Sequence, residues 1–363
     1  MKKIKVKALS KEYPVYIGNK IFSSISNLIV EHSLTKNLFV VVDKNVLELH
    51  PGCVSAFNKN KFNKINILVF DSSEKNKNSK SVERIYNSLI KNNYGRDSVV
   101  IAIGGGITGD IVGFAASTFG RGVQFVQVPT TLLAAVDSSV GGKTGINFGA
   151  TKNLIGSFYQ PDFVLIDTSF LRTLPEEEII CGIGEIIKYA FLSDQKLFDD
   201  IKINFKKLFN LNSAVTAKTI ETCVRFKAGV VEADETESGL RKILNLGHTF
   251  AHAFEVEQNY KIKHGQAVAV GLVCALFLSN QLGFINSRNL DKYLGLPFLF
   301  QGKINFESCN VENVFNIMLR DKKSREGKIK FVLLTEPGKL LIDVEATKEQ
   351  VIRSIEDGVS YFI

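Results

Sequence analysis

Apolar and polar residues follow one rhythm over the first half of the chain and another over the second. From about residue 37 to 167 short β-branched runs recur, each followed by a turn and an amphipathic stretch. The runs are Asn37-Leu-Phe-Val-Val-Val-Asp43, Ile65-Asn-Ile-Leu-Val-Phe70, Ser98-Val-Val-Ile-Ala-Ile103, Val123-Gln-Phe-Val-Gln-Val128 and Phe163-Val-Leu-Ile-Asp167. Strands apolar on both faces must be covered on both, so this half predicts a parallel sheet between layers of helix, an α/β domain. The first residues, Met1-Lys-Lys-Ile-Lys-Val-Lys-Ala-Leu9, alternate lysine with apolar side chains and predict a further strand. After Leu174-Pro175-Glu-Glu-Glu178, where proline and acids suit a first helical turn, long stretches of 3.6-residue period take over. Only Lys328-Ile-Lys-Phe-Val-Leu-Leu334 and Lys339-Leu-Leu-Ile-Asp343 interrupt them, as a late hairpin. The expectation is an α/β domain over residues 1–174 and a mostly helical one over 175–363, packed together with a ligand cleft between them.

Composition narrows the class. The 363 residues are 45% apolar and 23% charged, ordinary for a globular protein with a substantial core. The longest apolar run, Ala267 to Leu278, contains a glycine and falls short of the ~18–20 residues that span a bilayer. The basic N-terminus lacks the apolar core of a signal peptide, so no membrane association is expected. Five scattered cysteines with no CxxC pair indicate neither a disulfide framework nor a thiolate metal site, and point to a reducing cytoplasm. The formal charge of +8 comes from 45 basic against 37 acidic side chains, with lysines clustered at Lys59 to Lys64 and Lys75 to Lys80. No helix-turn-helix, finger or aromatic-basic sheet accompanies it, so nucleic acid is not the expected partner. An anionic small molecule accounts for the basic residues equally well.

Two patterns carry candidate chemistry. Gly104-Gly-Gly-Ile-Thr-Gly109-Asp110 follows a strand and opens an apolar helix, the setting in which closely spaced glycines cradle a pyrophosphate at a helix N-terminus. It departs from the common dinucleotide fingerprint, lying a hundred residues into the chain with no acid ending a strand ~20 residues later. The second pattern is Asn245-Leu-Gly-His248-Thr-Phe-Ala-His252, followed by Lys263-His264-Gly265 and preceded by Gly184-Glu185-Ile-Ile-Lys188. Histidines four apart share a helical face, as two ligands or as a ligand and a catalytic partner would. Two histidines and a glutamate form a recurring catalytic zinc set.

Together the motifs resemble those of the 3-dehydroquinate synthases. The resemblance runs from about residue 70 to 335 through Gly104–Asp110, Arg121-Gly122, Pro129-Thr-Thr-Leu-Leu-Ala134 and Val136-Asp-Ser-Ser-Val-Gly-Gly-Lys-Thr-Gly-Ile-Asn147. It continues through Lys152-Asn153, Gly184-Glu-Ile-Ile-Lys-Tyr189, Arg225-Phe-Lys-Ala228, Asp234-Glu235, Asn245-Leu-Gly-His-Thr249 and His264-Gly-Gln-Ala-Val-Ala269. It implies an N-terminal α/β nucleotide-binding domain and a mostly α-helical C-terminal metal-binding domain, a dehydroquinate synthase-like fold.

Residue by residue, the resemblance assigns Glu185, His248 and His264 to Zn2+ or Co2+. It assigns Gly105, Gly106, Gly109, Asp110, Thr130, Thr131, Asp137, Lys143 and Lys152 to NAD, with Phe170, Leu171, Arg172 and Thr173 closing over the cofactor. Lys143, Asn153, Lys188, Lys227, Arg241, Asn245 and His252 would hold the substrate, a small sugar-acid phosphate, and Arg121 would reach across from the neighbouring subunit of a homodimer. Asp71-Ser-Ser-Glu74-Lys-Asn-Lys77 resembles the family's adenosine loop but has one residue more and lacks its glycine; Glu74 and Lys77 would serve there. Lys322 and Lys323 lie near the end of the match.

The implied reaction oxidises a secondary alcohol, eliminates phosphate, reduces the ketone, opens the ring and closes a carbocycle. A metal that polarises the alcohol and fixed cations that hold the anionic intermediate suit it. The proton beside the ketone has three candidate acceptors: the substrate's own phosphate, His252 or a lysine. Rival readings are a metal-dependent polyol dehydrogenase, another sugar-phosphate cyclase or a non-catalytic binder; Lys227, Arg241 and Asn245 together favour the dehydroquinate branch.

Overall fold

The structure, a computed structural model, describes residues 1–149, 151–304, 306–320 and 328–362; Lys322 and Lys323 lie outside them. Two compact units are present, Met1–Pro175 with Thr216–Thr236, and Glu176–Val215 with Glu237–Ile363. The chain thus passes between units three times, where the sequence suggests one boundary near residue 174. The returning segment belongs with the first unit because Lys227 and Glu235 bond to Asp137 and Ser10 there.

The strands of the first unit are β1 (Lys2–Lys7), β2 (Glu12–Gly18), β3 (Asn37–Asp43), β4 (Lys64–Phe70), β5 (Ser98–Gly104), β6 (Gln124–Pro129), β7 (Lys143–Phe148), β8 (Thr151–Phe158) and β9 (Phe163–Asp167). Seven of them form one sheet in the order β1-β2-β9-β6-β5-β3-β4, parallel except for β1. The helices are α1 (Ile25–Glu31), α2 (Lys44–Leu49), α3 (Gly52–Ser55), α4 (Ser79–Lys91) and α5 (Gly106–Thr118). Side chains alternate across a strand, so the predicted runs split between two cores. Leu38, Val40, Val42, Val99, Ile101 and Ile103 pack with Ile25, Leu28 and Ile29 of α1. Phe39, Val41, Val100 and Ala102 pack with Val82, Ile85 and Leu89 of α4 and Ile111, Val112 and Ala115 of α5. The lysines of β1 alternate with buried Ile4 and Val6, leaving charge on an edge strand that would otherwise invite pairing.

The pattern also hid elements. Strand β2 was not expected, because Pro14 interrupts Glu-Tyr-Pro-Val-Tyr-Ile-Gly; in the sheet Pro14 lies opposite Lys5 of the edge strand. The antiparallel hairpin β7–β8 was not expected either, since glycines dilute its alternation. Gly145 and Gly156 are paired there, and a side chain on Gly156 would meet the carbonyl of Thr144 at 2.2 Å.

The second unit is mostly helical: α6 (Glu176–Leu192), α7 (Gln195–Phe209), the start of α8 (Ser213–Ala233), α9 (His248–Glu257), α10 (His264–Gln281), α11 (Ser287–Leu294), α12 (Val311–Arg320) and α13 (Lys348–Ser360). The late hairpin is β10 (Phe331–Glu336) with β11 (Lys339–Val344). Helix α10 is buried on nearly every side, packing against α6, α9 and α13, and this central position explains why it is apolar all round. At its first turn the approach to α6 is backbone to backbone. A β-carbon on Gly184 would sit 2.0 Å from the carbonyl oxygen of Gly265, and one on Gly265 1.8 Å from that of Cys181. Among the described residues no helix is long and apolar enough to cross a membrane.

The contact between α6 and α10 leaves no room for a methyl group. Gly265→Ala is expected to lower stability by about 2–3 kcal/mol, the upper part of the range for overpacking, since both colliding groups are backbone. Urea unfolding measures this; a loss under about 0.5 kcal/mol would show that the helices do not meet so closely.

Candidate active site

In the first unit the predicted cofactor residues gather at the carboxyl edge of the parallel sheet. From β3 the chain goes outward to β4, whereas from β5 it goes the other way to β6, so the strand order reverses between β3 and β5. Open α/β sheets bind ligands at such a point. Gly104 ends β5 there, opposite Pro129 of β6, and accepts the amide of Thr130 at 2.9 Å. A β-carbon on Gly105 would meet the Thr131 methyl at 3.0 Å, which places Gly105, Gly106, Thr130 and Thr131 in one cluster. Gly109 has a packing role: a β-carbon would lie 2.0 Å from the Gln127 amide of β6.

The cluster fits a dinucleotide's pyrophosphate on two observations. Helix α5 has no side-chain cap and no acid in its first turn, so its positive end carries no carboxylate of its own. Among the described residues the buried Ser138 hydroxyl has no hydrogen-bond partner, and it lies 3.0 Å from where a Gly106 β-carbon would stand. Ser138 ends a π-helical turn, Ala134–Ser138, that also presents Asp137. Such turns recur at functional sites. Lys227 of α8 ion-pairs with the Asp137 carboxylate and donates to its carbonyl at 2.8 Å.

Glu74 and Lys77, after β4, are tied to hairpin β7–β8. Asn147 donates to Glu74 at 2.7 Å and its amide to the Lys77 carbonyl at 2.8 Å. The buried Lys77 ammonium bridges Asp110 and Asn153, both at 2.5 Å. Burial pushes the Asp110 carboxyl above its usual range, and Lys77 opposes the shift. Asn153 has φ 50° and is exposed, Lys143 is exposed, and Lys152 is half-buried. Of the predicted closing segment, Phe170 and Leu171 are buried, Phe170 against Phe22 and His50, while Arg172 and Thr173 are exposed. Arg121 is exposed at φ 67°, strained for a side-chain-bearing residue, between two left-handed glycines. No hydrogen bond or ion pair among the described residues joins it to the other predicted site residues.

In the second unit Glu185, His248 and His264 converge, each offering a ligand atom within 4.8 Å of the others. Each stands beside a glycine. Glu185 follows Gly184 and His264 precedes Gly265, the pair whose backbones touch. His248 follows Gly247, whose φ of 77° turns the chain into α9, and a β-carbon there would meet the Leu272 amide at 2.9 Å. Glu185 is wholly buried; its Oε1 lies 3.6 Å from His248 Nε2 and 3.3 Å from His264 Nε2, and its Oε2 pairs with the buried Lys188. Two imidazoles and a carboxylate are a borderline donor set suited to Zn2+ or Co2+.

The two histidines are driven apart electrically. Burial, with the charges of Lys188, His264 and His252, lowers His248 far below an ordinary imidazole. Burial also acts to lower His264, but Glu255 and Glu185 outweigh it and push the group up to about 10. Cys181, nearby, is pushed up to about 12 by burial, so its thiol stays protonated and only accepts the Gly265 amide at 3.2 Å. His252 lies 5.6 Å from His248 and 6.1 Å from His264, ring centre to ring centre. Arg241 is fully buried, and Asn245 donates to Glu237 at 2.5 Å.

Sequence reasoning passed over three residues here. Asp43 ends β3 beside Gly104, because Val42 is in register with Ile103, and its carboxylate accepts the amides of Asn45 and Val46 at the start of α2. An acid closing a β-branched run before a helix was the available signal. Ser138 sat inside a quoted motif without a role, and Glu255 lay one helical turn beyond His252.

Residues 67–181 match the family described as 3-dehydroquinate synthase N-terminal, and residues 182–324 that described as 3-dehydroquinate synthase C-terminal. Over 351 residues the chain is 42% identical to a 3-dehydroquinate synthase of Pelagibacter ubique, covering 93% of each. In fold it is similar to 2-epi-5-epi-valiolone synthase from Streptomyces hygroscopicus subsp. jinggangensis with NAD+ and Zn2+ bound. That likeness has a TM-score of 0.87 at 24% identity and covers 98% of this chain and 99% of the other. It is also similar to 2-deoxy-scyllo-inosose synthase complexed with carbaglucose-6-phosphate, NAD+ and Co2+, with a TM-score of 0.84 at 24% identity over 98% and 100% of the two chains.

Lys77→Met would leave the Asp110 carboxylate without this cation. Breaking a fully buried pair costs about 3–5 kcal/mol; Asp110 keeps some solvent access, so about 2–3 kcal/mol is expected near neutral pH. The loss should shrink near pH 4, because the raised pKa of Asp110 lets it protonate there and a neutral carboxyl needs no cation. Unfolding of both proteins at the two pH values checks this; an equal or larger loss in acid would contradict it.

Proposed function

The chain belongs to the 3-dehydroquinate synthase family, and from that membership we propose that it converts 3-deoxy-D-arabino-heptulosonate 7-phosphate to 3-dehydroquinate and phosphate. The observation that carries the reading is the 42% identity to a 3-dehydroquinate synthase across 93% of both chains, spanning both family halves. NAD and a divalent metal fit the two residue sets described, and structures of similar fold hold NAD+ with Zn2+ or Co2+.

When bound, NAD supplies reversible oxidation at one carbon, and the metal polarises the oxygen on it. Glu185, His248 and His264 would hold the metal, and Lys188 would steady Glu185 by occupying its second oxygen. The turn Gly104–Gly106 with Thr130, Thr131 and the Ser138 hydroxyl would seat the cofactor. Lys143, Lys188, Lys227 and Arg241, with Asn153 and Asn245, supply cations and amides for a substrate carrying both phosphate and carboxylate. Holding both anionic ends restrains the flexible intermediate for ring closure. His252 stands beside the metal ligands as a side chain able to take up a proton. Arg121, exposed in its strained turn, would act across a homodimer.

Arg241→Lys keeps the charge but loses the planar fork that grips a carboxylate or phosphate. Substrate affinity should fall roughly ten- to a hundredfold, the equivalent of about 1.5–3 kcal/mol, while NAD affinity stays unchanged. Titrations of each ligand separate the two, and an equal fall for NAD would remove Arg241 from the substrate set.

The proposed reaction returns its hydride, so NAD should act catalytically. With NAD far below the heptulosonate phosphate, phosphate release should reach many equivalents per NAD, with reduced cofactor staying below the enzyme concentration. Reduced cofactor accumulating one for one with substrate lost would replace this reading with a dehydrogenase.

A further inference from the structure

One buried carboxylate in the second unit has no part in the reaction proposed above. Glu255 is 3% exposed on α9, three residues beyond His252 and seven beyond His248, so all three lie along one face of the helix. Its Oε2 stands 3.5 Å from Nδ1 of His264, while Nε2 of the same ring stands 3.3 Å from Glu185. The imidazole of His264 is bracketed by a carboxylate at each nitrogen. His248 is held in a parallel way: its Nδ1 lies 3.2 Å from the carbonyl of Leu246, which leaves Nε2 toward Glu185. An imidazole whose one nitrogen donates to an acceptor presents the lone pair of the other, and its ring orientation is fixed.

The two supports differ in kind. The backbone carbonyl behind His248 is fixed by the turn at Gly247, whereas His264 depends on a side chain. The buried group contains two carboxylates, Glu185, whose Oε2 pairs with Lys188, and Glu255, whose Oε2 faces His264. Buried acids persist where they are paired or serve a cation. A carboxylate behind the imidazole makes the opposite nitrogen a better donor, and it partly balances the charge of a divalent ion bound in front.

We propose that Glu255 is a positioning residue for the metal: its carboxylate accepts the Nδ1–H of His264, selects that tautomer and presents Nε2 beside Glu185 and His248. The proposal rests on the reading of Glu185, His248 and His264 as ligands.

Co2+ titration of the metal-free full-length protein, followed by the visible spectrum and by competition with a chelator, tests it. Glu255→Ala should weaken Co2+ binding roughly ten- to a hundredfold with native circular dichroism retained. Glu255→Gln, which keeps an acceptor oxygen of the same reach, should recover most of the loss. Affinity unchanged in Glu255→Ala would overturn the proposal, as would Glu255→Gln binding as weakly as the alanine variant, since charge alone would then be the cause. His264→Ala is the control. If it keeps wild-type affinity, the ligand reading fails; if it loses Co2+ while Glu255→Ala keeps it, only the role of Glu255 fails. Should the alanine variant not fold, long-range proton–nitrogen spectra of the zinc-loaded wild-type protein decide: Nδ1 of His264 must carry the proton, and metal bound at Nδ1 refutes the proposal.

Discussion

A β-carbon on Gly184 would stand 2.0 Å from the Gly265 carbonyl oxygen, and one on Gly265 1.8 Å from that of Cys181. Helices α6 and α10 therefore meet without intervening side chains, and the residues next to those glycines, Glu185 and His264, are brought within 3.3 Å by the same contact. The third donor, His248, follows the same rule. Gly247 admits the close pass of the chain against Gly271 and Leu272 of α10, and its left-handed turn starts α9 at His248. Side chains are short, so donors can converge on one ion only if their backbones converge first. The convergence of the three donors is thus a consequence of Gly184, Gly247, Gly265 and Gly271, which let the backbones meet along the first half of one buried helix.

That convergence concentrates charge away from water, and neighbours decide how each group carries it. Glu185 turns one oxygen to the histidines and the other to Lys188. His248 and His264, 5.2 Å apart by ring centres, are shifted in opposite directions: burial, aided by nearby cations, lowers His248, whereas at His264 two carboxylates outweigh burial. The same economy governs the first unit, where Lys77 joins the loop after β4 to Asp110 and Asn153, and Lys227 holds the π-helical turn through Asp137. These lysines hold loops in place as well as carrying charge. Substituting one removes both a cation and the support for a neighbouring segment.

The late hairpin, the helix beginning at Glu176 and five strands within about a residue of their ends were all legible as periodicity. Burial on both faces of a strand or one face of a helix imposes a repeat that any window of the chain displays. The missed strands, β2 and the pair β7–β8, are those in which proline or glycine is tolerated for a tertiary reason: a position opposite the edge strand, and the tight pairing of Gly145 with Gly156. The passage of α8 back to the first unit was likewise invisible, since a helix carries the same period whichever unit its residues join.

The candidate chemistry divides along the same line. Motifs a few residues long, the glycine turn before α5 and the carboxylate and amine three apart in α6, were readable because their members are neighbours in sequence and local geometry alone sets their spacing. Asp43 was not, because it precedes the glycine turn by some sixty residues and adjoins it only through the pairing of β3 with β5. Nor was the bracketing of His264 between Glu185 and Glu255, carboxylates on two different helices. The sequence by itself determined the classes of element and the residue types able to hold a metal, a pyrophosphate or an anion. Only the tertiary structure decided which of those residues meet, because contacts between distant segments depend on how closely backbones approach, and no periodicity records that distance.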